Sequence, residues 1–462
     1  MTRPTNITFA GAAVDTSRIY FNNVQTLNAN QTMTLVNNFG DSVGTITGTE
    51  YTVGTTLKGK GKASLDGQNL IYTVETTASA PATPSGDGGL PSVGGADYGG
   101  SVPSGDTIPT GKDSGTPAGG NTPTGGGSSS AGGNTPSDSS PSGETAPTDS
   151  GAGTPIVTAQ EQTHNTLMGM EAGMTALTAG TQAIEKSFDG LGDSANKGAD
   201  GISVYAGVGG GTTRQETGSH IKANTWNAIL AIGQKKNLAQ GTFEWGGFVE
   251  HGSANFSLHG SSAYGSGSST YTGGGVLAKW QNEQDVYLEG SFRMGRMHDS
   301  ATDILRDALG GSYGYNIRTG YWGAHLGVGK VYRFHDKGSV DVYGKFFLTR
   351  RDGTSFDAGG HYELDSVTGK LLRVGARYTA SGAKWNWYGG LALEHEFDGE
   401  STGTADGARI RSASIKGTSL FAELGLRMEP TATSPWRVDI GITGHAGKHK
   451  GIGGSIAVGY LF

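Results

Sequence analysis

The chain has 462 residues, a formal net charge of −7, 82 glycines and a hydrophobic share of only 34 %, so much of it cannot be packed globular core. It lacks cysteine, which removes disulfides, thiol catalysis and thiolate zinc sites, and its acidic balance without a basic block argues against a nucleic-acid partner. No run of ~20 apolar residues is present, which excludes a spanning helix but not a spanning β-barrel, whose strands are apolar on one face only.

Residues 1–78 are rich in Thr, Asn and Gly. Short β-type runs, Thr32-Met33-Thr34-Leu35-Val36 and Leu70-Ile71-Tyr72-Thr73-Val74, are separated by turn residues. The segment reads as the end of a β-rich domain, poor in bulky core residues and marginal by itself. Its start, Met1-Thr2-Arg3-Pro4-Thr5-Asn6-Ile7, has no apolar signal-peptide stretch, so the sequence is expected to be shortened at its beginning. Residues 79–156 turn to Gly, Pro, Ser and Thr, with Gly120-Asn121-Thr122-Pro123 echoed by Gly133-Asn134-Thr135-Pro136. With so few large apolar side chains, this stretch cannot offset its ordering entropy and is expected to be a disordered tether.

Over 157–192 the pattern becomes helical. Leu167, Met170, Met174, Leu177, Thr181, Ile184, Phe188 and Leu191 recur at steps of three and four, which puts them on one face, and Gly190-Leu191-Gly192-Asp193 stops the helix. Such a stripe commonly marks a core or coiled-coil seam. A helix of ~30 residues is also ~45 Å long, enough to thread a membrane barrel.

From 200 to 462 a two-residue period recurs in about twelve segments. Apolar residues hold one parity, as in Trp226, Ala228, Leu230 and Ile232, or Val340, Val342, Phe346 and Leu348. The other parity carries the charge: Glu244, Glu250, Glu289, Arg293, Asp341, Lys345, Arg373, Arg377, Glu394, Glu396, Glu423, Arg427, Arg437 and Asp439. An Arg or Lys at the lipid midplane costs ~2–4 kcal/mol, so these residues are expected to line a pore. Trp245, Trp280, Trp385, Trp387, Trp436 and Phe462 fall near strand ends on the lipid parity, where interfacial girdles belong. Short turns are expected around Lys236-Asn237, Asn282-Glu283, Asp336-Lys337-Gly338, Ser381-Gly382-Ala383 and 429–435. They alternate with long polar loops over 252–269, 298–311, 351–368 and 398–409. Short turns are periplasmic in outer-membrane barrels, so both ends of the barrel are expected on that side. The chain closes on Ile456, Val458, Tyr460 and Phe462, one face of a last strand that ends at its own final residue. The expected fold is all-β, an antiparallel transmembrane barrel of about twelve strands with an N-terminal α-helix through its pore.

A β-rich end piece, a tether, a helix, the strands and the terminal aromatic together resemble the C-terminal part of a monomeric autotransporter of the type V secretion family. The resemblance implies an outer-membrane translocator that anchors an N-terminal passenger, adhesin-like in some readings, at the cell surface. It implies as partners outer-membrane lipid, periplasmic chaperones, the chain's own passenger and the barrel-assembly machinery, which would read Ile456, Val458, Tyr460 and Phe462. Some members cut the helix at an Asn-Asn step; this helix has Asn165-Thr166 instead, so no such cleavage is expected.

Other chemistry carries less. His251-Gly252-Ser253 shares one outward parity and invites comparison with outer-membrane phospholipase, but neither an orienting acid nor an oxyanion site can be assigned. His298-Asp299 and His335-Asp336 are adjacent pairs whose side chains diverge on a strand. His445, Lys448, His449 and Lys450 are read as a solvated loop in preference to a metal or anion patch. Gly207 to Gly211 precedes no helix, which disfavours a phosphate cradle. No enzyme, cofactor or metal is expected; a barrel enzyme and a small pore remain the alternative readings.

Overall fold

Twelve antiparallel strands close into a barrel in the computed structural model, which describes residues 9–22, 31–75, 157–192, 201–217, 220–259, 264–334, 337–382, 385–431 and 434–462. The tether expected over 79–156 and the His335-Asp336 pair lie outside the described residues. The strands are β1 (Gly201–Glu216), β2 (His220–Leu238), β3 (Gly241–His259), β4 (Tyr264–Gln281), β5 (Val286–Arg306) and β6 (Ser312–Phe334), followed by β7 (Gly338–Arg351), β8 (Val367–Thr379), β9 (Trp385–Glu396), β10 (Gly417–Met428), β11 (Trp436–Gly447) and β12 (His449–Leu461). Each pairs with its neighbour in the chain, and β12 returns to β1. Closure leaves no open edge, as a sheet in hydrocarbon requires.

The alternation decides which face meets what. Outward positions remain exposed although apolar: Val249, Leu288, Leu391 and Ile442 are examples, and Leu326 is 64 % exposed. A soluble protein does not leave such a continuous apolar band bare. Trp245, Trp280, Trp385, Trp387, Trp436 and Phe462 all gather at the rim where β1 begins and β12 ends, called here the terminal rim. The opposite edge of the band is marked by Trp226 on β2 and Trp322 on β6, beyond which the outward residues become Asn224, Lys222, Arg318 and Asn316. About ten residues of a tilted strand cross the apolar layer. At 21 and 23 residues, β5 and β6 continue well past it toward the far rim.

That extension corrects two of the expected connections. The stretches 252–269 and 298–311 are not long loops: β3 runs to His259, β5 to Arg306 and β6 starts at Ser312. Polar alternation persists in a strand once it leaves lipid, so polarity there marked depth and not a loop. The turn expected at Lys236-Asn237 falls three residues later, at Ala239-Gln240, because β2 continues to Leu238. The long connections after β7 and β9 exist and carry their own small sheet, in which Thr354–Asp357, His361–Leu364, Gly403–Ala405 and Ala408–Arg409 pair in order. There the Asp357 carboxylate lies 2.8 Å from the His361 ring nitrogen and holds that imidazole above its ordinary pKa.

The N-terminal piece is more ordered than its composition promises. Strands Ile19–Phe21, Glu50–Val53, Leu57–Asp66, Asn69–Val74 and Thr32–Val36 form one sheet, and Thr158–Ala159, expected to begin the helix, adds to it beside Leu57. Tyr51, Tyr72, Leu57 and Leu70 are fully buried with Val53 and Val157, so bulky core residues are present after all. The sheet is bonded to the far-rim connections: the Thr55 N–H donates to Gly359 O at 3.0 Å and the Thr55 hydroxyl to Ala358 O at 2.6 Å. Gln162 donates to both Thr55 O (3.2 Å) and Arg306 O (2.7 Å), joining sheet and barrel at the entrance of the helix.

The outward parity predicts a sharp penalty. Leu326→Arg should lower the stability of the folded barrel by about 2–4 kcal/mol in urea titrations of protein in lipid vesicles; an unchanged midpoint would place Leu326 away from lipid.

Candidate functional site

Among the described residues one α-helix, α1 (His164–Gly192), occupies the barrel interior. Its 29 residues reach about 43 Å at 1.5 Å per residue. The N-terminal half is buried on all sides, against the one-sided burial that a stripe suggests. The stripe nevertheless chooses a wall. Leu167, Met170 and Leu177 pack in one cluster with Phe256 and Leu258 on β3, Tyr271 on β4, Met297 on β5 and Tyr315 on β6, whereas the Met174 methyl turns toward Gly369 on β8. Ile184, Phe188 and Leu191 continue against Tyr205, Ile229, Phe248 and Leu277.

The opposite wall is ionic, and the helix meets it with acids. Glu185 lies 2.6 Å from Arg373 and 3.4 Å from Lys345, which also reaches Glu289 at 2.8 Å. Arg373 completes a second pair with Glu394 at 2.6 Å. One turn further on, Asp189 lies 2.8 Å from Arg377 and 2.7 Å from Arg427, and Arg427 binds Asp439 at 2.8 Å. Arg437 donates to the Asp189 carbonyl and pairs with Glu429, while Lys186 donates to Ser455. On the apolar side two arginines reach the helix backbone itself. Arg293 pairs with Glu250 at 3.1 Å and donates to Leu177 O at 2.8 Å; Arg351, fully buried, pairs with Asp299 and donates to Met170 O at 3.2 Å.

Every charged residue assigned to the inner face on parity does point inward. Glu244, Glu250, Glu289, Arg293, Arg373, Glu394, Arg427, Arg437 and Asp439 are buried; Asp341, Lys345, Arg377, Glu396 and Glu423 are half-buried. Asp341 accepts from the Tyr287 hydroxyl, and Glu244 faces Lys235 and Lys279 across its two neighbours. Sequence reasoning missed the helix partners Glu185 and Asp189. Their i,i+4 spacing on the flank of the apolar stripe was the available signal.

Helix glycines let the walls close in. An added Cβ at Gly190 would lie 2.0 Å from the Tyr205 ring, and one at Gly180 2.2 Å from the Tyr271 hydroxyl. Glycine inside a helix costs ~1 kcal/mol against alanine, so these positions are set by the close approach of the barrel wall and not by helix propensity.

The last strand is the closing seam. Ile456, Val458 and Tyr460 face Val208, Ala206 and Val204 of β1, and the Phe462 N–H donates to Ile202 O at 2.8 Å. Tyr460 packs edge-on against Trp436 and Phe462, with ring centroids 4.9 Å and 4.7 Å apart.

The remaining candidates fall elsewhere. His251 lies on β3, its ring nitrogen 2.7 Å from the Thr272 hydroxyl, and Ser253 faces Trp226. His298 is exposed and bonds Asn316, whereas Asp299 is buried on Arg351. Gly207 to Gly211 sit inside β1. The solvated-loop reading of His445 and His449 is overturned. Both belong to strands, β11 and β12, and their rings lie beside Glu394 of the inner face; Lys450 points outward toward Glu216, 3.4 Å away.

A family profile described as the autotransporter beta-domain matches residues 204–441. No curated protein sequence matches. Among solved structures the chain is similar to the beta domain of the Bordetella autotransporter BrkA, at 16 % identity and a TM-score of 0.46 over 56 % of this chain and 98 % of that one. It is similar to the translocator domain of NalP from Neisseria meningitidis at 18 % identity and 0.48, over 63 % and 98 %. The transport unit of AIDA-I from Escherichia coli aligns at 15 % identity and 0.39, over 58 % and 92 %.

Substituting Gly190 tests the close packing by its sign. Gly190→Ala stabilises a free helix, yet here it should destabilise the folded protein by about 1–3 kcal/mol, because the Tyr205 ring must move. Unfolding in urea reads the outcome; a stabilised variant would mean that the wall does not press on the helix.

Proposed function

We propose, since this chain belongs to the autotransporter β-domain family, that its barrel is an outer-membrane translocator which passes the segment ahead of the helix through the pore and tethers it at the cell surface. The observation that carries this reading is the path of the chain. The helix ends beside Tyr205 and Arg437 near the start of β1, at the terminal rim, while its first residues are bonded to far-rim groups: Asn165 donates to Ile304 O at 2.9 Å, and the His164 ring nitrogen lies 2.7 Å from Arg411 O. The N-terminal sheet, bonded to the same far-rim connections through Thr55, is therefore across the barrel from Phe462 at the terminal rim. The longest connections, those after β7 and β9, stand at that far rim, and external loops are the long ones in such barrels. On this reading the far rim faces the outside, and the N-terminal sheet is passenger, with an adhesive role as part of the proposal.

Ile456, Val458, Tyr460 and Phe462 serve as the strand read by the barrel-assembly machinery, with periplasmic chaperones escorting the unfolded chain. The strand that closes the ring is the last one available, which suits a recognition element that must be exposed until the ring shuts. Lipid is the permanent partner of the outer face. The reading gives the barrel a transport and anchoring role and no catalytic one.

Planar-bilayer conductance separates a plugged translocator from an open pore. The full chain should conduct weakly, and deletion of residues 159–192 should raise single-channel conductance several-fold; equal conductance would rule out the helix as the plug.

A further inference from the structure

One group of lumenal side chains continues from the helix clamp at Glu394 and has no part in holding Glu185 or Asp189. Glu394 on β9, His445 on β11 and His449 on β12 bring one carboxylate oxygen and two imidazole nitrogens together, all within 4.8 Å of one another. Glu394 gives one oxygen to Arg373 and turns the other toward His445 Nε2, 3.6 Å away. The two histidine rings stack with centroids 4.3 Å apart, and His449 Nε2 is buried without a hydrogen-bond partner among the described residues. The Gln182 amide of the helix stands 3.5 Å from His445 Nε2. A cavity of about 70 Å³ bordered by Gln182, His445 and His449 leaves room beside them.

We propose that Glu394, His445 and His449 form a binding site for a divalent transition-metal ion of the zinc class. Two imidazoles and one carboxylate are a donor set that zinc takes at ~2.0–2.2 Å, with a fourth position left for water or the Gln182 amide oxygen. Tetrahedral donors stand ~3.4 Å apart at those bond lengths, so side-chain rotation has at most ~1.4 Å to close. The charge around the site is mixed: the Glu394 carboxylate faces the histidines, while Arg373 holds its other oxygen and Lys186 borders the same cavity, so the donor set and not the field carries the assignment. An ion there would tie β9 to β11 and β12 across the intervening β10, just below the hairpin that joins the last two strands. It would act as a clip on the part of the ring that closes last. The inference rests on the barrel register alone and is independent of the transport reading.

Zinc binding by the full chain in detergent micelles, freed of any histidine tag and measured by competition with a chromogenic chelator, tests it. The wild type should take up one tightly held zinc, and His445→Gln or His449→Gln should weaken it at least about tenfold. These two substitutions spare the Glu394–Arg373 pair, so the barrel should still fold, as heat-modifiable mobility in gels will report. Cobalt substitution should give the visible absorption of a tetrahedral site in the wild type and lose it in both variants. The stacked pair His220 and His259, 4.3 Å apart on β2 and β3, is the internal control, and its double Gln variant should bind as the wild type does. The proposal is overturned if the wild type binds no zinc, if His445→Gln and His449→Gln bind it unchanged, or if the loss follows His220 and His259.

Discussion

In hydrocarbon every backbone N–H and C=O must find a partner within the protein, and the closed ladder from β1 round to β12 and back is the arrangement here that provides it. The rest follows from that ring. A closed sheet has an outside and an inside, and the period of two assigns each residue to one of them. The apolar set, Leu326 and Ile442 among it, is left to the bilayer, while the ionised set must turn inward. Charges turned into a confined lumen then need partners there, and the helix answers that need. Glu185 and Asp189 stand where Arg373, Lys345, Arg377 and Arg427 converge.

The helix is thus held by two unlike walls. Against β1 to β6 it packs Leu167, Met170, Leu177, Ile184 and Phe188; against β7 to β11 it presents acids. The ionic side contributes less net stability than its many contacts suggest, because desolvating paired charges offsets most of their attraction. Its effect is on specificity. A helix rotated by half a turn would face arginines with leucines and leave Arg377 and Arg427 without Asp189, and an uncompensated buried charge costs several kcal/mol. Arg293 and Arg351 fix the axial position in another way, by donating to helix carbonyls at Leu177 and Met170. Together the two walls set both rotation and depth.

Much of this was legible in the chain because it is periodic. Parity alone placed Arg373 and Glu394 inside and Trp385 and Leu391 outside, and the strand count followed from the same pattern. The three- and four-residue steps gave the helix and its apolar side. What the pattern could not give were the pairings across the lumen: Glu185 meets a residue 188 positions away, a distance no local rule spans. Polarity also misled where strands leave lipid, so that 252–269 and 298–311 looked like loops. His445 and His449 were hidden for the same reason, since a Gly- and Lys-rich surround reads as solvent when it is the upper part of a barrel wall. In the N-terminal piece the few aromatic residues, Tyr51 and Tyr72, proved sufficient to seed a small core.

The central claim is the sidedness of the ring, and nitroxide labels on one strand report it directly. On β7, a label at Val342 should collide freely with oxygen dissolved in lipid and be shielded from a water-soluble nickel relaxant. A label at Lys345, three residues on, should show the low lipid exposure of a packed interior. The reverse pattern, Lys345 in contact with lipid and Val342 shielded from it, would contradict the register on which the helix, its charge partners and the pore all depend.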